Sequence, residues 1–162
     1  ARLHGKLRLM HRTLFVCLGN ICRSPTAEAV FQSFVERDAL LDRFLCDSAG
    51  ILSYHQGARA DSRMRRHATA RGYKLASISR PVTAEDFETF DLVIAMDHQN
   101  VVDLQSRAPT AEGKGKIRLM LDYAPTLGIK EVPDPYYGGA QGFEEVIDLL
   151  EVACANLLES LR

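Results

Sequence analysis

The chain has 162 residues and a formal net charge of -1 at pH 7, and 25% of its residues are charged. This length suits one domain that buries about two thirds of its unfolded surface, and the balanced charge excludes the basic footprint of a nucleic-acid-binding protein. No segment approaches the roughly 18 apolar residues of a membrane span or resembles a signal peptide, so we expect a cytoplasmic protein without a membrane span.

The first half of the chain alternates predicted strands with predicted helices. Leu14 to Val16 is a short apolar run typical of a buried strand. A helix follows, with Ser24 as its expected N-cap, Pro25 as its first residue and apolar residues at helical spacing beyond. The next expected elements are a strand at residues 43–47, a helix at residues 60–71 and a helical turn opening at residues 83–86.

The second half continues the alternation. It contains an expected strand at residues 91–96, a helix capped by Asp97, a polar loop, a strand at residues 117–120, a loop at residues 121–142 and a long final helix from Phe143. Strands that alternate with helices imply right-handed crossovers and a parallel sheet. We therefore predict a single three-layer α/β domain, with a four-stranded parallel twisted sheet, helices on both faces and ligands beyond the carboxyl ends of the strands.

The segment between the first strand and the first helix carries the strongest functional signal. Its geometry aims the backbone N-H groups of residues 18–24 inward at a helix N-terminus, which makes an anion cradle. Cys17 is expected at the mouth, where the amides and an arginine favour its thiolate, and Arg23 can hold two phosphate oxygens with its planar fork. The other predicted phosphate-binding residues are Leu18, Gly19, Asn20, Ile21, Cys22 and Ser24. A buried cysteine in a glycine-containing turn is the alternative.

The spacing of Cys, five residues, Arg and Ser, followed by Asp134-Pro135-Tyr136-Tyr137, resembles the low-molecular-weight protein tyrosine phosphatases. The resemblance implies hydrolysis of phosphotyrosine and aryl phosphates through a cysteinyl-phosphate intermediate, with no metal and no cofactor. It implies a phosphatase domain at residues 13–162. Residues 1–12 are then an N-terminal extension, expected to be disordered or derived from a cloning vector.

The resemblance also implies roles for residues outside the cradle. Asp134 matches the general acid, which protonates the departing oxygen and then activates water. Tyr54 and Tyr136, with Leu18 between them, match aromatic walls whose depth selects phosphotyrosine over phosphoserine. The expected partner is a tyrosine-phosphorylated protein, and Tyr136 and Tyr137 are candidate sites for a cognate tyrosine kinase.

Further residues are expected to support or regulate the cradle. Asn20 is expected to hold the loop in a strained shape through side-chain hydrogen bonds, with Ser48 as a partner. Asp97 is expected to steady Arg23. Cys22 lies beside the nucleophile. The resemblance implies that it forms a reversible disulfide with Cys17 after oxidation.

Two other kinds of protein carry such a cradle, and they are the alternatives to a phosphatase. An arsenate reductase coupled to thioredoxin needs a further cysteine pair to relay a disulfide, and Cys46 and Cys154 share neither a loop nor a close spacing. A non-catalytic phosphoprotein-binding module requires the loss of the nucleophile or the acid, and both are present. Turnover of an aryl phosphate separates the two classes.

Overall fold

The computed structural model describes residues 10–162 and contains one parallel sheet. Its strands are β1 (His11–Cys17), β2 (Phe44–Gly50), β3 (Leu92–Ala95) and β4 (Ile117–Leu119), in the order β2-β1-β3-β4. All three pairings are parallel, and Leu14 lies opposite Asp47 on one side and Val93 on the other. The predicted four-stranded parallel sheet is confirmed.

Helices cover both faces of this sheet. They are α1 (Arg23–Arg37), α2 (Ser62–Ala70), α3 (Asp86–Thr89), α4 (His98–Arg107), α5 (Ala111–Lys114) and α6 (Ala140–Leu161). Alternate strand residues point to opposite faces, so Phe15 packs with Phe31 of α1 and Ile147 of α6, while Leu14 packs with Leu104 of α4. The three-layer arrangement is therefore confirmed. None of the helices within residues 10–162 has the length and apolar character needed to cross a bilayer.

Several predicted boundaries need correction. The segment expected as a polar loop contains α5, whose first turn is capped by Thr110 through a 3.0 Å hydrogen bond from the N-H of Gly113. The loop expected at residues 121–142 contains two 3-10 turns, at Met120–Tyr123 and Pro125–Leu127, and α6 begins at Ala140. Of the predicted N-terminal extension, residues 1–9 lie outside the described residues, and residues 11 and 12 belong to β1.

The predicted helix caps had different outcomes. Asp97 caps α4 as predicted, accepting a 2.8 Å hydrogen bond from the N-H of Asn100. Ser24 is not the N-cap of α1, because the helix begins at Arg23 and Cys22 holds the cap position. Among the described residues, no side chain caps this end of α1. The Ser24 hydroxyl is instead buried and faces Cys17, as described below.

Candidate active site

A cleft of about 330 Å³ lies at the carboxyl end of β1, where the chain turns into α1. Its lining consists of Cys17, Leu18, Gly19, Ile21, Cys22, Arg23, Leu52, Tyr54, His55, Asp134, Tyr136 and Tyr137. Cys17 lines this cleft and is only 3% exposed. It is the last residue of β1, and it packs with the buried residues on the side of the sheet that carries Phe15 and Phe31.

The backbone of the loop after Cys17 is held from outside by the surrounding segments. Two backbone N-H groups that follow β2 donate to it: that of Ile51 to the carbonyl of Cys17 at 3.0 Å, and that of Leu52 to the carbonyl of Leu18 at 2.9 Å. The Ser79 hydroxyl donates to the carbonyl of Gly19 at 3.1 Å, and the N-H of Asp61 donates to the carbonyl of Ile21 at 2.8 Å. These carbonyl groups are therefore engaged away from the cleft.

Asn20 connects this loop to β2. Its backbone is left-handed, with φ 56°, and its amide nitrogen donates to the hydroxyls of Ser24 at 2.8 Å and Ser48 at 3.0 Å. Its carbonyl oxygen accepts from the N-H of Arg80 at 3.1 Å. The Ser24 hydroxyl lies 3.1 Å from the sulfur of Cys17. A continuous chain of contacts thus runs from β2 to the sulfur.

Glu28 extends this chain of contacts and was missed by the sequence reasoning. The Ser48 hydroxyl donates to its carboxyl group at 2.6 Å. Burial raises the pKa of Glu28, and hydrogen bonds from Ser48 and Ser77 oppose that rise only in part. The available signal was an acidic residue one position after Ala27, beside the apolar stripe of α1.

Arg23 is fixed from behind by two acceptors. One terminal nitrogen donates to Asp97 at 2.7 Å and to the carbonyl of Val132 at 3.1 Å, and the side chain is 4% exposed. The other terminal nitrogen lies 3.8 Å from the carboxyl group of Asp134. Burial lowers the pKa of Arg23, but the nearby sulfur of Cys17 and the carboxyl groups of Asp97 and Asp134 outweigh burial and leave it raised. The guanidinium therefore stays charged in its buried position.

The rim of the cleft carries the carboxyl group and the aromatic rings. The Asp134 side chain is 41% exposed, and one of its oxygens accepts from the N-H of Tyr136 at 3.0 Å. Tyr54 and Tyr136 both line the cleft. The centre of the His55 ring lies 4.8 Å from the ring centre of Tyr54 and 6.4 Å from that of Tyr136. Sequence reasoning missed His55, whose position beside Tyr54 was its one available signal.

Comparisons with known proteins agree with this geometry. The family model described as low molecular weight phosphotyrosine protein phosphatase matches residues 12–162. A low molecular weight protein-tyrosine-phosphatase of Streptomyces coelicolor is 42% identical over 156 residues, covering 95% of each chain. The mouse low molecular weight phosphotyrosine protein phosphatase is 40% identical over 147 residues, covering 90% of this chain and 92% of its own.

The structural comparison gives the same answer. A crystal structure of a protein tyrosine phosphatase from Entamoeba histolytica, with Hepes in the active site, superposes with a TM-score of 0.90 at 52% identity. It covers 93% of this chain and 96% of its own. The chain belongs to the low molecular weight phosphotyrosine protein phosphatase family. The family predicted from the Cys17 loop and the Asp134-Pro135-Tyr136-Tyr137 segment is confirmed.

Within this family fold, the four cysteines have two kinds of surroundings, and all four are free thiols. Burial raises the pKa of Cys22, and the neighbouring Asp61, Cys17 and Asp134 raise it further, so Cys22 is a neutral thiol. Cys46 and Cys154 pack against α1, where each sulfur lies 3.6 Å from a backbone carbonyl of that helix. Neither of the two lines the cleft.

The predicted site residues therefore fall into two groups. Cys17, Arg23, Asp134, Tyr54 and Tyr136 line the cleft together with the loop residues Leu18, Gly19, Ile21 and Cys22. Asn20, Ser24, Ser48 and Asp97 lie behind this surface and contact the loop. The first group thus forms the surface of the cleft, and the second group holds that surface in position from behind.

Proposed function

We propose that this member of the family hydrolyses phosphotyrosine in proteins, and aryl phosphates generally, through a phosphorylated Cys17. One observation carries the proposal: a buried sulfur, a guanidinium fixed from behind and a carboxyl group on the rim converge in a single cleft. A nucleophile, an anion clamp and a proton donor are the three groups that transfer of a phosphoryl group to sulfur requires.

The phosphate group is bound by the inward N-H groups of residues 18–24 and by Arg23. Several carbonyls of the loop are engaged on its outer side, which leaves its N-H groups and the N-terminus of α1 available to an anion. One nitrogen of Arg23 is occupied by Asp97 and Val132. The opposite edge of the guanidinium, whose terminal nitrogen lies 3.8 Å from Asp134, can donate two parallel hydrogen bonds to phosphate oxygens.

In the first step the Cys17 thiolate attacks phosphorus. The sulfur-phosphorus bond forms as the bond between phosphorus and the phenolic oxygen breaks, and Asp134 gives its proton to that oxygen. The position of Asp134 on the rim, 3.8 Å from the guanidinium of Arg23, supports this role. The products are a tyrosine side chain and a cysteinyl phosphate.

In the second step water attacks the same phosphorus. The carboxylate of Asp134 takes a proton from the water, the sulfur-phosphorus bond breaks, and inorganic phosphate leaves with Cys17 restored as thiolate. The Ser24 hydroxyl, 3.1 Å from the sulfur, donates a hydrogen bond to the departing thiolate and so lowers the barrier. Asp134 ends the cycle protonated and ready for the next substrate.

The rim supports an aromatic substrate. Tyr54 and Tyr136 flank the entrance, and an aryl ring attached to the bound phosphate can stack between them, whereas the short side chain of phosphoserine does not reach that level. The proposed partner is therefore a tyrosine-phosphorylated protein. Tyr137, which is 92% exposed, is the more accessible of the two tyrosines proposed as targets of a cognate kinase.

The deciding experiment measures kcat/KM on one peptide in its phosphotyrosine and phosphoserine forms. We expect turnover of the first only, none by Cys17→Ser, and a loss of about 100-fold or more in Asp134→Ala, with Asp122→Ala as an exposed acidic control. Mass spectrometry of quenched wild-type reactions should find phosphate on Cys17. Equal turnover of both peptides, or full activity in Cys17→Ser, would contradict the proposal. Reduction of arsenate with thioredoxin would favour the alternative enzyme.

Cys22 is proposed to protect Cys17 from irreversible oxidation. Peroxide converts the Cys17 thiolate to a sulfenic acid, and the Cys22 thiol then displaces water to form a disulfide that added thiol reduces. Wild-type activity should return after peroxide and dithiothreitol, and activity of Cys22→Ser should not. Full recovery of Cys22→Ser would exclude this protection.

A further inference from the structure

Within residues 10–162, the segment that carries Asp134 (residues 133–139, the acid segment) is attached to α2 by one side chain. Arg63 of α2 donates to the carbonyl of Tyr136 at 3.0 Å, and its guanidinium carbon lies 5.3 Å from the centre of the Tyr136 ring. The same guanidinium lies 4.9 Å from the ring centre of Phe143 in α6. Arg63 therefore sits between two aromatic rings while it donates to the backbone of the acid segment.

Arg63 is itself held in a single orientation by Asp61. Two of its nitrogens donate to the two carboxylate oxygens of Asp61, at 3.1 and 2.9 Å. Asp61 is the N-cap of α2, accepting from the N-H groups of Arg63 and Met64 at 2.8 and 3.2 Å. Burial raises the pKa of Asp61, but these hydrogen bonds outweigh burial and leave it lowered, so the partner of Arg63 is an anion.

The same aspartate also touches the loop of residues 18–24 that follows Cys17, which we call the catalytic loop. Its backbone N-H donates to the carbonyl of Ile21 at 2.8 Å. The contacts thus run from Ile21 through Asp61 and Arg63 to Tyr136, whose own N-H donates to Asp134 at 3.0 Å. This path joins the loop that carries the nucleophile to the segment that carries the acid, without passing through Arg23.

The acid segment has few other attachments. Before the segment, the N-H of Val132 donates to the carbonyl of Met96, just after β3, at 2.9 Å. After the segment, α6 begins at Ala140. Within residues 10–162, the other hydrogen bonds of the backbone of residues 133–139 join it to itself or to the start of α6, where the N-H of Gly142 donates to the carbonyl of Gly139. The hydrogen bond from Arg63 therefore ties this backbone to an element that is distant in sequence. The fork and ring contacts of Arg63 need a planar guanidinium, which lysine does not supply.

We propose that Arg63 is a positioning residue that fixes Asp134 and the Tyr136 wall over the catalytic loop. The inference rests on the proposed function, because it assigns to Arg63 the geometry of proton donation by Asp134. A misplaced acid matters most when the departing oxygen is strongly basic and needs the proton, and least when the leaving group departs readily as an anion.

The kinetic test compares phenyl phosphate with p-nitrophenyl phosphate. For Arg63→Ala we expect kcat/KM to fall about 10- to 100-fold on phenyl phosphate and less than about threefold on p-nitrophenyl phosphate. Arg63→Lys should behave like Arg63→Ala, because charge alone does not reproduce the fork. Arg66→Ala removes an exposed arginine from the same helix and should leave both values unchanged. An equal loss on both substrates, or no loss, would overturn the proposal.

A second measurement tests the attachment without activity. In protein labelled with fluorotyrosine, the 19F resonance of Tyr136, assigned by Tyr136→Phe, should shift and broaden in Arg63→Ala and Arg63→Lys but not in Arg66→Ala. An unchanged resonance would overturn the proposal whatever the kinetics. If the wild-type protein turns over neither aryl phosphate, the proposed function is wrong, and the resonance still decides whether Arg63 fixes the segment.

Discussion

Replacement of Asn20 gives the most direct test of how the catalytic loop is supported. Asn20 is 2% exposed, and its side chain makes hydrogen bonds to Ser24, Ser48 and the N-H of Arg80. At about 1 kcal/mol of net stabilisation for each, Asn20→Gly should lower the free energy of unfolding by about 3 kcal/mol. Glycine adopts the left-handed backbone without strain, so this variant isolates the side-chain contribution.

Asn20→Ala adds the cost of the backbone to the loss of the hydrogen bonds. A left-handed alanine is disfavoured by about 1 kcal/mol, so the total loss should be about 4 kcal/mol. The chain supplies a matched control in Ala39, which is exposed and has a φ of 57°. Ala39→Gly removes the same backbone cost without touching a hydrogen bond, and it should stabilise the protein by about 1 kcal/mol.

Urea unfolding followed by circular dichroism measures all three variants, because the chain contains no tryptophan to report by fluorescence. The slope of free energy against urea should be common to the wild type and the variants. The gap between Asn20→Ala and Asn20→Gly should equal the gain from Ala39→Gly. A loss below about 1 kcal/mol in Asn20→Gly would refute the reasoning, since three hydrogen bonds would then contribute less than one is worth.

Three further substitutions test other parts of the structure by urea unfolding. Burial raises the pKa of Glu28 in the folded protein above its ordinary value in the unfolded chain. The stability that protonated Glu28 contributes is therefore fully present below the unfolded pKa and is lost as pH rises through the folded pKa. Glu28→Gln keeps an acceptor for Ser48 and should abolish that loss. Asp97→Asn keeps the cap of α4 but removes the carboxylate that is hydrogen-bonded to Arg23, so the free energy of unfolding should fall by about 3 kcal/mol. The loss should be smaller in saturating inorganic phosphate, which supplies negative charge beside Arg23. Phe31→Ala, fully buried, should cost about 3 to 5 kcal/mol.

The elements that the sequence predicted well have local signals. The apolar run before Cys17 and the helical spacing after Pro25 indicated β1 and α1, and the loop between them followed from its two neighbours. Ser24 was misread because its residue type favours a cap, while its tertiary contact with the sulfur of Cys17 uses the hydroxyl elsewhere. α5 was missed because it has four residues and contains Gly113, so a helical period is not visible.

The contacts that orient the site have no local signal. Arg63 and Tyr136 are 73 positions apart, and Ser48 follows Glu28 by 20 positions. Nothing in the spacing of such residues along the chain distinguishes them from other polar residues, since only the tertiary fold brings them together. His55 likewise gains its place on the rim from the packing of its ring beside Tyr136, which a pattern of residue types does not encode.

The order of the strands gives each half of the catalytic loop its own support. β1 lies between β2 and β3, so the ends of those two strands flank the loop that follows Cys17. The β2 side supplies Ser48, which accepts from Asn20, and the β3 side supplies Asp97, which accepts from Arg23. The sulfur and the guanidinium are therefore held by different strands. The proposed mechanism needs both groups at one phosphorus atom, so we expect damage to either side alone to slow turnover.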